Sequence, residues 1–378
     1  MTPYWIWQQP DWPDFRWQAE VLAPLLRECV QAQGQLLGMT SVVTTSLSAQ
    51  NELDALLQNI VTSSAIEGEQ LNVGSVRSSL ARRLGLEQVG DNPVSQRSEG
   101  LANLLLDATR HLDQPLTLQR LLEWHEWLFP DQPNELAHRQ IRVGTLCGDE
   151  PMQVVSGRLD RPTVHFEAPP RKGLEQQLQA FVDWFEASRH QAGLDPLLRA
   201  GVAHFWFVTL HPFDDGNGRL TRTLTDLALA QGEAQAIRFY AMSASILDDH
   251  AGYYRILETS QKNTLDITPW LSWFLQTLQR SLQQAMKRID SVFCKARFWQ
   301  VHRDSALTPE QIKVLNRMLD GGEKGFEGGI SAAQYQAVAK VSKATATRHL
   351  AELLEKGCLE RMPGGGRSTR YRVSYPVG

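Results

Sequence analysis

Apolar residues recur at helical spacing through most of this chain, and the pattern predicts a mainly α-helical protein. The clearest stretch has the i, i+3, i+4 spacing of one buried helix face and comprises Leu53, Leu56, Leu57, Ile60 and Val61. The same spacing predicts further helices over about 18–37, 96–112, 117–129, 173–190 and 269–300. In the helix over 18–37, one apolar face is expected to carry Val21, Leu22, Leu25, Leu26 and Val30.

Glycines interrupt this helical pattern in the middle of the chain. Residues 152–155 and 163–166 have the character of two short strands on either side of Gly157, which together predict a β-hairpin. Such a hairpin can be an ordinary surface feature or an element that binds a ligand or a partner. The strand pattern alone leaves both interpretations open.

The chain from about 306 to 378 has a different organisation. Thr308 begins a helix with a capping-box pattern, and two more helices and two short strands around 364–366 follow. This order resembles a winged helix-turn-helix domain. Between residues 340 and 372, eight Lys and Arg stand against three acidic residues, a balance expected of a DNA-binding surface. A winged helix used only for protein contacts or dimerisation is the alternative.

The first twenty residues are rich in proline and aromatic residues. Prolines at positions 3, 10 and 13 argue against a helix there. Two interpretations of the resulting extended arm are open: its aromatic side chains fill grooves on their own domain, or they bind a partner. The tryptophans concerned are Trp5, Trp7, Trp12 and Trp17.

Length and composition set broad limits on what the protein is. At 378 residues the chain is long enough for two or three domains, and three regions are predicted: 1–95, 96–300 and 306–378. The net charge of −4 implies no general attraction to nucleic acid or to a membrane. The four cysteines are far apart, which favours the reducing cytoplasm. With no signal-peptide pattern and no long apolar run, no membrane association is expected.

A polar, glycine-rich loop over residues 211–219 lies between two strongly apolar stretches. Asp215 offers a hard oxygen ligand suited to Mg²⁺. Gly216 and Gly218 allow positive φ angles and a close approach of the backbone to a ligand. Asn217 can donate from its amide, and the backbone N–H groups that begin the next helix form a natural anion site.

Two arginines and one histidine complete this loop. Arg219 and Arg222 are three residues apart, so they share a helix face and can hold phosphate oxygens together. His211 is the side chain in the loop that can accept a proton near pH 7. The loop therefore predicts a binding site for a polyphosphate and magnesium, with a base beside it. A glycine turn between two helices, capped by charges, is the simpler alternative.

The run from His211 to Arg222 resembles the signature of Fic domain proteins, His-x-Phe-x-Asp/Glu-Gly-Asn-Gly-Arg-x-x-Arg, at every fixed position. The resemblance implies a helical domain that transfers AMP from ATP to a hydroxyl of a target protein. It implies that His211 is the base and that Asp215 holds Mg²⁺. The implied ATP-binding residues are Asp215, through the metal, and Gly216, Asn217, Gly218, Arg219 and, at the γ-phosphate, Arg222.

The resemblance extends to a second motif upstream. Ser63, Glu67 and Gly68 fit the inhibitory motif Ser/Thr-x-x-x-Glu-Gly/Asn of the same family. Its position ahead of the catalytic motif implies inhibition by the protein's own N-terminal helix. A carboxylate paired with Arg222 would occupy the guanidinium that the γ-phosphate needs, so ATP would bind in a displaced pose.

The family also assigns a role to the predicted hairpin. A hairpin at 152–166 would be a flap that overhangs the nucleotide, so Val164 and His165 are expected at the ATP site. The target would be presented to this flap as an extended segment. Strand addition relies on backbone hydrogen bonds, which carry little sequence information, so the sequence does not name the target.

Three more residues are expected near the adenine. The family places a tyrosine pair where Tyr253 and Tyr254 stand, and some members carry an asparagine where this chain has Gln261. The resulting hypothesis is a self-inhibited protein adenylyltransferase that modifies Ser, Thr or Tyr hydroxyls and forms a homodimer. The alternatives are a nucleotide-sensing, DNA-binding transcription regulator, or a relative that removes AMP or transfers another phosphate-containing group.

Overall fold

The structure is a computed structural model that describes residues 5–41, 45–86, 92–130, 141–158, 161–234, 239–320, 326, 328–363 and 369–375. The chain divides into two compact units, Met1–Ala285 and Met286–Gly378. The predicted boundary near residue 95 therefore falls inside the first unit, and the observed division lies within the predicted 96–300 region.

The first unit is built of helices and one hairpin, so the prediction of a mainly α-helical fold is confirmed. Its helices are α1 Ala19–Ser41, α2 Thr45–Ile66, α3 Val73–Arg83, α4 Gln96–Arg110, α5 Leu118–Leu128, α6 Leu174–Ala187, α7 Pro196–Leu210, α8 Asn217–Glu233, α9 Met242–Asp248 and α10 His250–Gln261. Helix α11, Thr268–Val301, begins in this unit. The strands are β1 Gln153–Arg158 and β2 Arg161–Glu167.

Helices α7 and α8 form the centre of the first unit. Every residue of α7 from Leu197 to Leu210 is buried, as expected for a helix that is apolar on all sides. Helix α8 is also buried from Asn217 to Ala230 apart from Gly218, although it carries several polar side chains. Because buried polar groups need partners, the polar residues of α8 must be satisfied by neighbouring elements.

The prediction for the apolar face of α1 is correct for Leu22 and wrong for its two valines. Val21 and Val30 are 49% and 50% exposed, whereas Leu22, Cys29 and Leu36 are fully or almost fully buried. These three residues are seven positions apart, and Ala32, which is also buried, falls on the same face, so the contact face is one narrow stripe along the helix. Adjacent apolar residues fall outside this stripe because each residue turns the helix by about 100°.

The N-terminal arm packs on its own unit, which is the first of the two predicted arrangements. Trp5 is buried and meets Phe166 of β2 edge to face, with ring centroids 5.4 Å apart. Trp7 donates from Nε1 to the carbonyl oxygen of Glu167 at 2.7 Å. Farther along the arm, Phe15 packs edge to face on Trp206 of α7. The arm thereby supports the end of β2.

The hairpin is longer than the sequence predicts but has the expected topology. Strands β1 and β2 pair antiparallel, with Gln153 opposite Glu167 and Val155 opposite Val164. The register shifts between Val154 and Val155, which is a β-bulge. Bulges change the direction of a strand and reorient its side chains.

The described part of the second unit contains the end of α11, three further helices and a small sheet. Its elements are α12 Pro309–Leu319, β3 Ile330–Ser331, α13 Ala332–Ala339, α14 Lys343–Glu355, β4 Leu359–Arg361 and β5 Arg370–Val373. The sheet is antiparallel in the order β3-β5-β4. Its core includes Val314, Tyr335, Leu350 and Leu353. The winged-helix designation stays a prediction, and the glycines at 364–366 lie outside the described residues.

A membrane span is not found in this structure. Among the residues described above, no helix combines the length and the apolar character needed to cross a bilayer.

Candidate active site

The glycine-rich loop is a tight connection between α7 and α8. Helix α7 ends at His211, whose φ of 48° lies in the left-handed region. Helix α8 begins after Gly216, whose φ is +82°. A Cβ at Gly216 would also come within 2.6 Å of Leu128. Glycine is therefore required at 216 for both conformation and space, as the loop pattern predicts.

Two side chains within the loop have different surroundings. Asn217 is buried, accepts a hydrogen bond from the Phe213 N–H at 3.0 Å and donates to the Phe213 carbonyl at 2.8 Å. Its amide therefore closes the loop, and its predicted contact with phosphate stays a prediction. The Asp215 side chain is 55% exposed, and its Oδ1 accepts from the Gly216 N–H at 2.5 Å. Asp215 thus keeps carboxylate capacity for a further ligand.

His211 has the tautomer of a general base. Its Nδ1 lies 3.3 Å from the Val208 carbonyl oxygen. Since a carbonyl can only accept, Nδ1 carries the proton and Nε2 keeps its lone pair. Burial lowers the pKa of His211 below its ordinary value, against the opposing influence of Glu67 and Asp215. The ring is therefore neutral at pH 7 and able to accept a proton.

Glu67, at the end of α2, forms an ion pair with Arg222 of α8. Its Oε1 accepts from Arg222 Nη2 at 2.8 Å, while Ser63 Oγ accepts from Arg222 Nε at 2.8 Å. Burial alone would raise the pKa of Glu67, but Arg222 outweighs it and lowers that pKa. A Cβ at Gly218 would come within 2.2 Å of Glu67 Oε1, so glycine there lets the carboxylate lie across the helix start.

Arg222 has capacity left for another ligand. It is 3% exposed, and within the described part of the chain its Nη1 is a buried donor with no hydrogen-bond partner. The Nε of Arg219 is in the same situation. Unsatisfied buried donors are rare in folded proteins, and two of them on one helix end indicate a site built for an anion.

A second carboxylate, Glu69, pairs with Arg219. Arg219 Nη1 donates to Glu69 Oε2 at 2.7 Å. Arg97 of α4 binds both Glu69 oxygens, each at 2.9 Å. The Arg97 and Arg219 guanidinium groups also lie 5.3 and 5.1 Å from the centroid of Phe129. Sequence reasoning missed Glu69 and Arg97, because no motif or spacing links residues this far apart in the chain.

His125 is a buried histidine of α5 that holds the loop. Its Nδ1 accepts from the Gly144 N–H at 3.0 Å, so its Nε2 donates to the Asp215 carbonyl at 3.2 Å. Its ring stacks on Phe213 with centroids 4.3 Å apart. Burial lowers the pKa of His125 to about 4, so the ring stays neutral. His125 thus links α5 to the loop through contacts that join residues far apart in the chain.

Asp214, beside the predicted metal ligand, is held by Arg142. The buried Asp214 carboxylate accepts from Arg142 Nε at 2.9 Å, from Nη2 at 3.0 Å and from the Arg142 backbone N–H at 3.1 Å. Together with His125, this contact fixes the backbone on which the exposed Asp215 stands.

A cavity of about 750 Å³ opens between the loop, the hairpin and α10. Its size falls in the range of small-molecule sites. The predicted site residues among its lining are Glu67, His165, His211, Gly218, Tyr253, Tyr254 and Gln261. Val164, predicted at the same site, is not part of the lining, although its cross-strand partner Val155 is.

The three residues predicted to lie near the adenine differ in burial and in their hydrogen bonds. Tyr253 is 1% exposed, and its hydroxyl is 3.0 Å from His204 Nε2. Gln261 is also buried and donates from Nε2 to Thr209 Oγ1 at 3.1 Å. Tyr254 is half-buried and packs on His250. Tyr254 is therefore the member of this set with surface left for a base.

His165 ties the hairpin to α10. Its Nδ1 lies 2.9 Å from Glu258 Oε2, and its Nε2 lies 2.6 Å from Ser156 Oγ. Lys262 donates to the other oxygen of Glu258 at 2.6 Å. This chain of contacts fixes the cavity's outer wall. Sequence reasoning found His165 but not its partners.

A protein-only metal cage is not found. No group of three or more His, Cys, Asp or Glu side chains converges as a metal site within the described ranges. Mg²⁺ is commonly held by one or two carboxylates together with substrate phosphates and waters. The exposed Asp215 carboxylate, next to the unsatisfied arginine donors, fits a metal of that kind.

Two family models match the chain. The model of the Fic/DOC family matches residues 115–229, which include the loop and most of α8. A domain of unknown function, DUF4172, matches residues 5–86, which include the N-terminal arm, Glu67 and Glu69. The two matches together contain both partners of each carboxylate–arginine pair at the loop.

Several curated relatives carry the name protein adenylyltransferase Fic. The protein from Nematostella vectensis is 27% identical over 232 residues, 61% of this chain and 48% of the relative. That from Drosophila persimilis is 24% identical over 312 residues, 77% of this chain and 56% of the relative. The chain thus spans about half the length of the curated relatives it matches.

A solved structure has a similar fold over the whole chain. A Fic family protein from Desulfovibrio desulfuricans G20 covers 100% of this chain and 99% of its own, with a TM-score of 0.51 and 21% identity. At this identity the likeness supports the fold.

Proposed function

On the premise that residues 115–229 form a Fic/DOC domain, we propose that the chain is a self-inhibited protein adenylyltransferase. The proposed reaction moves AMP from ATP to a Ser, Thr or Tyr hydroxyl of a target protein. The observation that carries the proposal is the Glu67–Arg222 pair, because it lies at the helix start that the phosphates need and beside the base His211.

The chemical step is one displacement at phosphorus. The target hydroxyl oxygen forms a bond to the α-phosphorus of ATP while the bond from that phosphorus to the bridging oxygen breaks. Pyrophosphate leaves, and the hydroxyl proton goes to Nε2 of His211. The assignment of His211 is supported by its neutral ring and free Nε2 lone pair.

The start of α8 and its two arginines would bind the phosphates. The unsatisfied donors of Arg219 and Arg222 support this role, as do the helix N-terminal N–H groups. Asp215 would hold Mg²⁺, which when bound offsets negative charge on the phosphates. Positioning and charge neutralisation contribute most to phosphoryl-type transfer, so few catalytic side chains are needed.

Inhibition follows from competition for one guanidinium. Glu67 occupies Arg222 Nη2, so a γ-phosphate must displace the carboxylate or bind elsewhere. Because Arg222 is 3% exposed, water does not weaken this competition as it would at the surface. The resting protein is therefore expected to have low activity.

We also propose that the target docks as an extended strand on the hairpin. Val155 and Val164 are 51% and 37% exposed there, which is apolar surface that a docked segment would cover. An added strand would satisfy backbone groups at an edge of the hairpin, and the exposed valines would contact its side chains.

The first test uses the Glu67→Gly protein, Mg²⁺ and ATP labelled separately on the α- or γ-phosphate, with and without lysate of the source organism. We expect protein label from the α-phosphate alone, and about tenfold or more above wild type, since a hydrogen bond to a charged group contributes about 1.5–3 kcal/mol. His211→Ala in the same background should lose the label, whereas His190→Ala, at an exposed histidine, should keep it.

Other outcomes separate the alternatives. Label from the γ-phosphate indicates transfer of another phosphate-containing group. Equal label in wild type and Glu67→Gly contradicts self-inhibition but leaves AMP transfer intact. No label in any variant, with ATP still bound, favours AMP removal or nucleotide sensing.

A further inference from the structure

The two compact units carry opposite charge. Residues 286–378 hold sixteen Lys and Arg against nine Asp and Glu, a formal charge of +7. Since the whole chain carries −4, the first unit carries −11. A charge separation of this size within one chain indicates that the second unit meets a polyanion.

Part of this positive charge lies on the outer face of α14. Lys343, Thr347 and Arg348 are exposed on it, whereas Ala346 and Leu350 face the core. The Arg348 side chain is 68% exposed and only loosely approached by Glu352, at 3.6 Å. Helix α14 is thus held by one face and presents a cationic face outward.

The neighbouring elements extend this face. Lys340 lies in the three-residue turn between α13 and α14, and Arg361 lies at the end of β4. Neither these two nor Lys343 forms an ion pair with a residue that the structure describes. By contrast, Arg372 is paired with Glu360 at 2.5 Å, and Arg370 Nη1 donates to the Gly329 carbonyl at 2.9 Å. Between residues 340 and 372, Lys340, Lys343 and Arg361 are therefore exposed cations without a described ion pair, and the first two lie at the start of α14.

We propose that the second unit binds duplex DNA, with α14 in the major groove. Two consecutive helices joined by a short turn, with exposed cations early in the second, match the geometry by which helix-turn-helix proteins enter that groove. A second copy of this face is disfavoured as the occupant, because two faces of the same positive charge repel. Duplex RNA is disfavoured because its major groove is too deep and narrow for a helix.

The test measures binding of the full-length protein to a fluorescent random-sequence DNA duplex by anisotropy at several salt concentrations. The test variant is Lys343→Gln with Arg348→Gln. The matched control is Lys313→Gln with Arg317→Gln, which removes the same charge from exposed positions on α12 of the same unit. Circular dichroism and thermal melting of both variants check that the unit stays folded.

We expect the test variant to lose about tenfold or more in affinity, with a salt slope lower by about 2, because each lost phosphate contact removes roughly one unit of slope. The control should bind nearly as well as wild type. No binding of wild type at low salt overturns the proposal, and equal loss in both variants overturns the assignment to α14. Tighter binding of duplex RNA, or a change of oligomeric state in the test variant, also overturns it. None of these outcomes depends on AMP transfer.

Discussion

The two units use positive charge in opposite ways. In the first, Arg219 and Arg222 are 6% and 3% exposed, and each faces a carboxylate supplied from beyond the loop. In the second, Lys343 and Arg348 lie open to solvent. A buried cation interacts strongly with one partner at a time, and salt screens it little. An exposed cation interacts weakly with many partners and loses effect as salt rises.

This contrast agrees with the two proposals. A buried ion pair suits control of activity at the candidate active site, and exposed cations suit binding of DNA. Under the proposed function, Glu67 and a phosphate could not both use Arg222 Nη2 fully, so occupancy of that group would act as a switch. The exposed cations of α14 add their effects gradually, which suits attachment to a polyanion.

The largest expected effect is at the buried arginine. Arg222→Ala in the Glu67→Gly background should lower α-phosphate labelling about a hundredfold or more, as removal of one preorganised donor does in other active sites. Lys343→Gln in the same background should leave labelling unchanged. The two rates are measured side by side at low and moderate salt, and a large effect of salt on the parent rate would contradict the contrast between buried and exposed charge.

A smaller effect is expected on stability. Glu67→Gln leaves the Arg222 cation buried without its counter-charge, and breaking such a pair costs about 3–5 kcal/mol when both groups are fully buried. Because the Glu67 side chain is 30% exposed, we expect about 2 kcal/mol, measured by urea unfolding. Addition of Mg²⁺ and ATP should recover part of this loss, because a ligand that binds only the folded state stabilises it. An unchanged midpoint would contradict the prediction.

The buried histidines make stability depend on pH. Burial lowers the pKa of His125 to about 4 and that of His204 to about 3. Below an unfolded value of about 6.5, the unfolded chain takes up protons that the folded chain does not, so stability present above that pH is lost as pH falls.

From pH 7 to pH 5 the loss should be about 2 kcal/mol per histidine, at about 1.4 kcal/mol per pH unit. His125→Gln should show a correspondingly smaller loss over the same interval. The measurement is urea unfolding at both pH values, and an identical loss in wild type and variant would exclude His125 as a contributor.

The smallest effect is expected at an exposed ion pair of the second unit. Glu360→Gln breaks the Arg372–Glu360 pair, whose side chains are 59% and 47% exposed. The change in unfolding free energy should stay below about 1 kcal/mol. A loss of unfolding free energy as large as that expected for Glu67→Gln would contradict the contrast between buried and exposed charge.

The sequence predicted those parts of the site that are continuous in the chain. The loop from His211 to Arg222 could be read directly, because its chemistry and its glycines lie next to one another. Glu67 was identified through a family motif. Glu69 and Arg97 were missed, because their relation to Arg219 exists only after α2, α4 and α8 have packed.

The fold followed the same rule. The hairpin could be predicted, because the alternation of a strand is a local pattern. The burial of α1 residues could not, because it depends on which neighbouring elements pack against the helix. The surroundings of the residues predicted to lie near the adenine were equally hidden, because the contact of the Tyr253 hydroxyl with His204 forms only when the helices pack.

The loop is held together from within and from behind. Asn217 bonds Phe213 in both directions, His125 holds the Asp215 carbonyl, and Arg142 holds the Asp214 carboxylate. A loop with this scaffolding is preorganised, so a nucleotide that reaches it has little ordering entropy to offset. Under the proposed function, regulation would therefore act on access of the nucleotide to the loop rather than on the conformation of the loop.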